Sequence, residues 1–210
     1  MSFERKNQYN QRRKPQQQRS RATVAAILEA SARILRQDGM VGLNTNRIAE
    51  TAGIGIGSLY GYFPNKEAIL LALAKDILSA DEAAVLEAVE HCDQPIRSLI
   101  EVLVDRHMAD RELRRIVMSW HIGAGYAYEH SHRAQSMIKR IVSLVREERE
   151  GSHDDLTMFV ASRAVLGICR ALVDEPSLPD RLLLVERTSR LVSLIFDRYS
   201  LMNAEYHTGE

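Results

Sequence analysis

The stretch Thr45–Phe63, TNRIAETAGIGIGSLYGYF, constrains this chain more than any other part of it. Apolar residues recur at helical spacing on both sides of Gly53, which predicts two short helices joined by a tight turn. Glycine readily adopts the positive φ that a sharp reversal needs, and Ala49 is small enough for a second helix to cross over it. This order is the plan of a helix-turn-helix motif, so we expect the chain to bind DNA.

Length and composition restrict the remaining possibilities. A chain of 210 residues suits a small domain joined to a larger one. It has no run of about 18 apolar residues and no apolar N-terminal segment before a cleavage site, so we expect a cytoplasmic protein without a membrane span. Cys92 and Cys169 are too few and too isolated for a disulfide framework. We expect both to be reduced, with Cys169 serving as an inert packing residue.

The formal net charge is zero, but the charge is unevenly distributed along the chain. Residues 1–21 hold seven Lys or Arg side chains against a single Glu, a surplus of six positive charges. We therefore predict a basic arm over residues 1–18. Two interpretations stay open for it: a solvated, disordered tail rich in Gln and Asn, or an arm that contacts DNA phosphates or enters a minor groove.

Helical periodicity extends on both sides of the motif. Asn44 is the predicted cap of the motif's first helix, and Pro64 followed by Asn65 ends its second helix and opens a long fourth one. The later stretches have amphipathic helical patterns, apart from a looser segment, HIGAGYAYEHSH. The predicted fold class is all-α, with about nine helices. A three-helix DNA-binding domain is expected at 19–65 and a helical ligand-binding and dimerisation domain at 66–204.

The run GLNTNRIAETAGIGIGSLYGYFPNKEAILLAL resembles the N-terminal signature of the TetR family of bacterial transcriptional repressors, T-x-x-x-I-A-x-x-A-G-V-S-x-G-[ST]-L-Y-x-Y-F-x-x-K-E-x-L. Outside it, the chain shares only a helical layout with that family. The resemblance implies a homodimer of Ω-shaped outline whose two heads contact successive major grooves of a palindromic double-stranded DNA operator. It also implies a small-molecule effector that binds the body, moves the heads apart and releases the DNA. It implies no cofactor and no catalytic residue.

The resemblance assigns DNA contacts to particular residues. Thr45 and Asn46 begin the first helix of the motif, where family members contact phosphate and base. The residues expected to face base edges at the start of the recognition helix are Ile56, Gly57 and Ser58, and those expected at the sugar-phosphate backbone are Tyr60, Tyr62 and Lys66, with Arg47 as a further phosphate candidate. These roles fit the chemistry, because phenol and ammonium groups donate hydrogen bonds to phosphate oxygens.

Two glycines depart from the family pattern. Gly55 stands where a capping serine is usual, a loss of roughly a few tenths of a kcal/mol, and Gly61 stands where a larger residue often contacts DNA. Because the recognition helix carries few long polar side chains, Asn46 and Ser58 are the best candidates for direct base contacts. Specificity then depends on Ile56 against a thymine methyl, on close backbone approach, or on DNA shape.

The body holds candidates for an effector pocket and for a dimer interface. Pockets between helices are mostly apolar with a few polar groups, and the pocket candidates are Met118, Trp120, His121, Tyr126, Tyr128 and Phe159. The last two helices form a predicted hairpin whose small residues and apolar stripe fit a four-helix bundle across a two-fold axis. The interface candidates are Ala164, Gly167, Ala171, Leu191, Leu194 and Ile195. For both sets the alternative is ordinary intramolecular core.

Other patterns are weaker. His121, His130 and His132 lie near Glu129, as in some metal sites, but no Cys joins them, so we predict no metal and favour a pocket mouth or a solvated surface. GIGIGS resembles a phosphate-binding loop, but a segment of helical composition precedes it where a strand is needed. The chain lacks a nucleophile elbow, a His-Glu-x-x-His pair and a Walker loop, so we predict no enzyme. The alternative to a repressor is an activator or nucleoid factor that recruits another protein.

Overall fold

The computed structural model describes residues 18–90, 92–145 and 155–206, and these ranges contain helices and no strand. The helices are α1 (Gln18–Gly42), α2 (Thr45–Thr51), α3 (Ile56–Tyr62), α4 (Lys66–Val89), α5 (Pro95–Ala109), α6 (Arg111–His121), α7 (Ala127–Val145), α8 (Asp155–Asp174) and α9 (Arg181–Tyr206). A π-helical turn, Ile122–Tyr126, connects α6 to α7. The predicted all-α fold class is confirmed. The predicted basic arm lies outside the described residues except for its last position.

The described chain forms two compact units. The first contains α1, α2, α3, the part of α4 up to Ser79, and Glu112–Ala124. The second contains Ala80–Arg111 and the described residues from Gly125 onward. The functional boundary between residues 65 and 66 stays a prediction, but the packing does not follow it, because α6 belongs to the same unit as the N-terminal helices.

The first unit is built around large apolar side chains contributed by every helix in it. The fully buried ones from α1 to α4 are Ile27, Ile34, Leu35, Leu43, Ile48, Leu59, Phe63, Ile69 and Leu70. Helix α6 adds Leu113, Val117 and Met118 to the same cluster. Full burial of one such side chain contributes roughly 1.5–3 kcal/mol, so the helix-turn-helix rests on a substantial core.

Local chemistry sets the ends of these short helices. The amide of Arg47 donates to Asn44 Oδ1 at 2.9 Å, and the amide of Ala68 donates to Asn65 Oδ1 at 2.9 Å, which confirms both predicted caps. A cap of this kind is worth about 1 kcal/mol. Gly39 has a φ of 63° and breaks the helical path of α1 before its last residues.

The second unit packs α5, α7, α8 and α9 with the end of α4. Helix α8 contacts α5, α7 and α9, and α5 also contacts α9. The α8–α9 pair, joined through residues 175–180, confirms the predicted hairpin. Helix α8 is long and apolar enough to meet a composition criterion for a membrane span. A buried core helix meets the same criterion, and Met158, Ala161 and Val165 of α8 are buried in the core of this unit.

The segment predicted to be looser, residues 121–132, is helical, so that prediction is wrong. It forms the end of α6, the π-helical turn and the beginning of α7. Gly125, at φ 93° and ψ 15°, makes the irregular step inside the turn, a conformation that glycine adopts readily. Gly123 and Gly125 lower the helix propensity of the segment, which is why its composition does not predict a helix.

Candidate nucleic-acid interface

A tight turn centred on Gly53 joins α2 to α3. Gly53 has the predicted positive φ, 67°. The amide of Gly53 donates to the carbonyl of Glu50 at 3.1 Å, and the amide of Ile54 donates to that of Ala49 at 3.0 Å. A Cβ atom added at Gly53 would meet nothing within 4 Å. Backbone conformation, and not lack of space, therefore selects glycine in this turn.

The inner faces of α2 and α3 anchor the motif to the core. Ile48 and Leu59 are completely buried, and Ala49 is 3% exposed. Phe63, also completely buried, ends α3 by donating its amide to the carbonyl of Leu59 at 2.9 Å. These contacts fix α3 from below and leave its other face available to a partner.

The outer face of α3 is exposed and poor in side chains. Ile56 and Tyr60 are 38% and 41% exposed, and Ser58 is exposed beside them. Gly55 precedes the helix in an extended conformation and provides no side-chain cap, as predicted. A Cβ atom at Gly57 would meet nothing within 4 Å, so no contact inside the chain requires that surface to be bare.

Two of the predicted backbone contacts also hold the motif together. Thr45 Oγ1 lies 3.1 Å from Tyr60 Oη, a hydrogen bond that ties the start of α2 to α3. Tyr62 Oη donates to Ser20 Oγ of α1 at 3.2 Å. The phenol of Tyr62 is half-buried, so this side chain positions α3 in addition to any contact with phosphate.

Arg47 forms an ion pair with Asp38 of α1. The two side chains are 40% and 45% exposed, so the pair contributes at most about 1 kcal/mol to stability. Gly42 leaves room for the pair, because a Cβ atom there would lie 2.5 Å from Asp38 Cβ and 2.8 Å from Arg47 Nη1. Sequence reasoning missed Asp38 and Gly42, since a contact between separate helices leaves no periodic signal. The other two predicted contacts are Asn46, which is exposed, and Lys66, which is half-buried.

The pocket candidates divide between the two units. Met118, Trp120 and His121 belong to the first unit, and Tyr126, Tyr128 and Phe159 belong to the second. His121 and Tyr126 are buried, whereas Tyr128 is 78% exposed and stacks on His132 with ring centroids 5.9 Å apart. Phe159 is 46% exposed. A pocket formed by these six residues stays a prediction.

The interface candidates lie on α8 and α9. Leu191 and Leu194 are 49% and 52% exposed. Gly167 and Ala171 are exposed, and Ala164 and Ile195 are half-buried. Other large apolar side chains are exposed on the same two helices: Leu156, Phe159, Val160, Leu182 and Leu183. Exposed apolar surface on this scale is typical of an association site.

The histidine segment contains a group with an altered pKa. Burial lowers the pKa of His130 below its ordinary value; the negative charge of Asp81 opposes this, and the positive charges of Arg133 and Arg163 reinforce it. Among the described residues, no group of three or more His, Cys, Asp or Glu side chains is arranged to hold a metal ion.

The two cysteines lie in different surroundings. Cys92 is half-buried, with its Sγ atom 2.8 Å from Ser98 Oγ, and it accepts a hydrogen bond from the amide of Gln94 at 3.2 Å. Cys169 is 8% exposed and packs in the core of the second unit, as predicted. Neither environment indicates a reaction.

Comparison with known proteins connects these features to one family. The family profile described as "Bacterial regulatory proteins, tetR family" matches residues 27–73. The chain is 41% identical over 54 residues to the tetracycline repressor protein class C of Escherichia coli, covering 26% of this chain and 25% of that protein. It is 35% identical over 105 residues to the HTH-type transcriptional regulator RutR of Escherichia coli K12, covering 44% and 48%. The chain therefore spans about half, or less, of the length of these relatives.

The fold of the chain also has solved counterparts. A putative TetR-family transcriptional regulator from Rhodococcus sp. superposes with a TM-score of 0.67, covering 83% of this chain and 98% of that one. The two sequences are 18% identical, so this similarity concerns the fold alone. It extends beyond the region matched by the family profile and includes most of the helical body.

Proposed function

We propose, from the premise that this chain belongs to the TetR family of bacterial regulatory proteins, that it is a cytoplasmic transcriptional repressor. In this proposal a homodimer binds a palindromic DNA operator, and a small-molecule effector in the body releases it. The observation that carries the proposal is the asymmetry of α3. Leu59 is completely buried, whereas Ile56, Ser58 and Tyr60 are exposed on the surface that a major groove would receive.

The proposed dimer is supported by the exposed apolar side chains of α8 and α9. Leu191 and Leu194 of one protomer would be covered by the same helices of its partner, which is how a two-fold interface forms. The relatives named as regulators support a role in transcription and not in catalysis. What those proteins bind remains a property of theirs.

The proposed function is tested by DNA footprinting with the purified protein on the DNA around its own gene. We expect protection of a palindrome, with an affinity that falls steeply with salt because Lys and Arg side chains displace counterions. A small molecule that abolishes the footprint would support the effector-released repressor. A footprint that no ligand alters would instead favour a ligand-independent activator or nucleoid factor, and a lack of any protection would contradict DNA binding.

The pairing of Arg47 with Asp38 yields a prediction about affinity. Arg47→Ala should weaken operator binding equally for all sequences and reduce the salt dependence by about one counterion, because Arg47 is a phosphate candidate. Asp38→Asn should strengthen binding by up to about fivefold, since it removes a competitor for Arg47 whose pairing is worth at most about 1 kcal/mol. Fluorescence anisotropy with labelled operator at several salt concentrations measures both effects.

The double variant separates the two roles of Asp38. If Asp38 acts through Arg47, Asp38→Asn adds little once Arg47 is Ala. Weaker binding by Asp38→Asn alone would show that the ion pair instead holds Arg47 in its DNA-contacting position.

A further inference from the structure

Arg163 of α8 has a buried guanidinium nitrogen that this chain does not satisfy. Its Nη1 atom is buried and has no hydrogen-bond partner, while the side chain as a whole is half-buried. A buried charged donor without an acceptor destabilises a fold, and such groups are rare in proteins unless they have a use. The position of Nη1 therefore points to an acceptor from outside the chain.

The ring of Phe159 holds this guanidinium group in place. The Arg163 Cζ atom lies 4.6 Å from the centroid of the Phe159 ring, one helical turn earlier on α8. A ring face attracts a cation, but it does not replace a carboxylate as a hydrogen-bond acceptor for a planar guanidinium. Within the described ranges, no carboxylate forms an ion pair with Arg163.

The nearby carboxylates are already engaged. Asp81 of α4, which is 6% exposed, forms an ion pair with Arg106 of α5. Glu82 of α4 accepts a hydrogen bond from Arg133 of α7 at 2.7 Å. Three guanidinium groups thus accompany two carboxylates in this group of side chains. The remaining positive charge is that of Arg163, and it matches a single negative charge.

His130 of α7 is the second group of interest. Burial lowers its pKa, and the charges of Arg133 and Arg163 act in the same direction, while Asp81 acts against them. The imidazole is therefore neutral at pH 7. An anion beside Arg163 would favour the charged imidazolium, so His130 would take up a proton as the anion binds.

We propose that Arg163 binds the carboxylate of a small aromatic monoacid, with His130 as its second polar contact and Phe159 as its apolar neighbour. The planar fork of an arginine suits a carboxylate, which accepts two parallel hydrogen bonds. The regulatory meaning of this site rests on the proposed function, because the acid would be the effector that releases the operator.

Isothermal titration calorimetry of the full chain with sodium benzoate tests the site, and benzamide serves as the uncharged analogue. We expect benzoate to bind and benzamide not to bind. Arg163→Gln should weaken benzoate binding by about tenfold or more, the loss of a charge-assisted hydrogen bond, and Arg163→Lys should weaken it less. Arg140→Gln, at an exposed arginine on α7, is the matched control and should change nothing.

Thermal unfolding distinguishes a binding role from a structural one. If Arg163 is kept for binding, Arg163→Gln should leave the Tm of the free protein unchanged or raise it, because it removes an unsatisfied buried donor. A clear fall in Tm would instead assign Arg163 a structural role and overturn the proposal. So would benzoate binding that is absent, or equal in the wild type and Arg163→Gln.

The titration of His130, followed by NMR, gives an independent readout. The charged groups around it are Asp81 and Glu82 on α4, Arg106 on α5, Arg133 on α7 and Arg163 on α8. Benzoate should raise the pKa of His130, so its affinity should increase as the pH falls through the interval between the free and bound pKa values. A pKa that benzoate leaves unchanged would contradict the contact with His130.

The site and the proposed function fail in different ways. Benzoate binding is measured without DNA, and operator binding is measured without benzoate. If benzoate binds but the operator stays bound at saturating benzoate, the effector role is wrong. If the protein binds no operator at all, the proposed function fails while the anion site is still judged by calorimetry.

Discussion

Leu194→Glu is expected to convert the protein from dimers to monomers and to abolish tight operator binding. Leu194 is 52% exposed on α9, and the two-fold axis of the proposed interface places two copies of each substitution in it. Burying unpaired charge at an interface costs roughly 3 kcal/mol or more, which weakens dimerisation by about a hundredfold or more. Operator affinity should fall with it, because each monomer engages only one half-site.

Analytical ultracentrifugation at micromolar concentration measures the first effect and operator titration measures the second. Leu194→Met should keep the dimer, and Ile122→Glu, at a comparably exposed apolar residue in the first unit, should affect neither measurement. A wild-type protein that sediments as a monomer would refute the dimer. An unchanged dimer in Leu194→Glu would place the interface elsewhere.

Two isoleucines of the same motif should respond in opposite ways to substitution by alanine. Ile48→Ala should lower the free energy of unfolding by about 2–5 kcal/mol, since Ile48 is completely buried beneath α2. Ile56→Ala should change that free energy by less than about 1 kcal/mol, because Ile56 is 38% exposed on α3. It should instead weaken operator binding by about fivefold, the equivalent of roughly 1 kcal/mol of apolar contact with a base.

Urea denaturation and operator titration on the same preparations separate the two effects. Each isoleucine is the control for the other, because the chemical change is identical and only the environment differs. A large loss of stability in Ile56→Ala would show that α3 uses this residue for packing. Unchanged operator binding by a folded Ile56→Ala variant would remove Ile56 from the proposed base contacts.

The parts of the fold that depend on local chemistry could be predicted from the sequence. Asn44 and Asn65 cap helices through their own side chains, and Gly53 makes a turn through its own φ. These effects act over three or four residues, so they leave a local pattern. The exposed face of α3 follows in the same way from helical periodicity.

The features that the sequence did not reveal depend on contacts between distant segments. The pairing of Asp38 with Arg47 joins two helices, and the packing of Val117 with the N-terminal helices brings back a segment from the middle of the chain. The helical course of residues 122–126 was missed for a different reason. Gly125 sits in a π-helical turn that average propensities do not describe.

The placement of α6 has a consequence for how this protein can be divided or recombined. Its side chains Leu113, Val117 and Met118 complete the core beneath the DNA-binding motif, although they follow the motif by about fifty residues along the sequence. The head is therefore a discontinuous folding unit, and the body segment Ala80–Arg111 is an insertion within it. A chimaera that exchanges heads between two such regulators must exchange α6 with them, or it will leave a hole in the core of each.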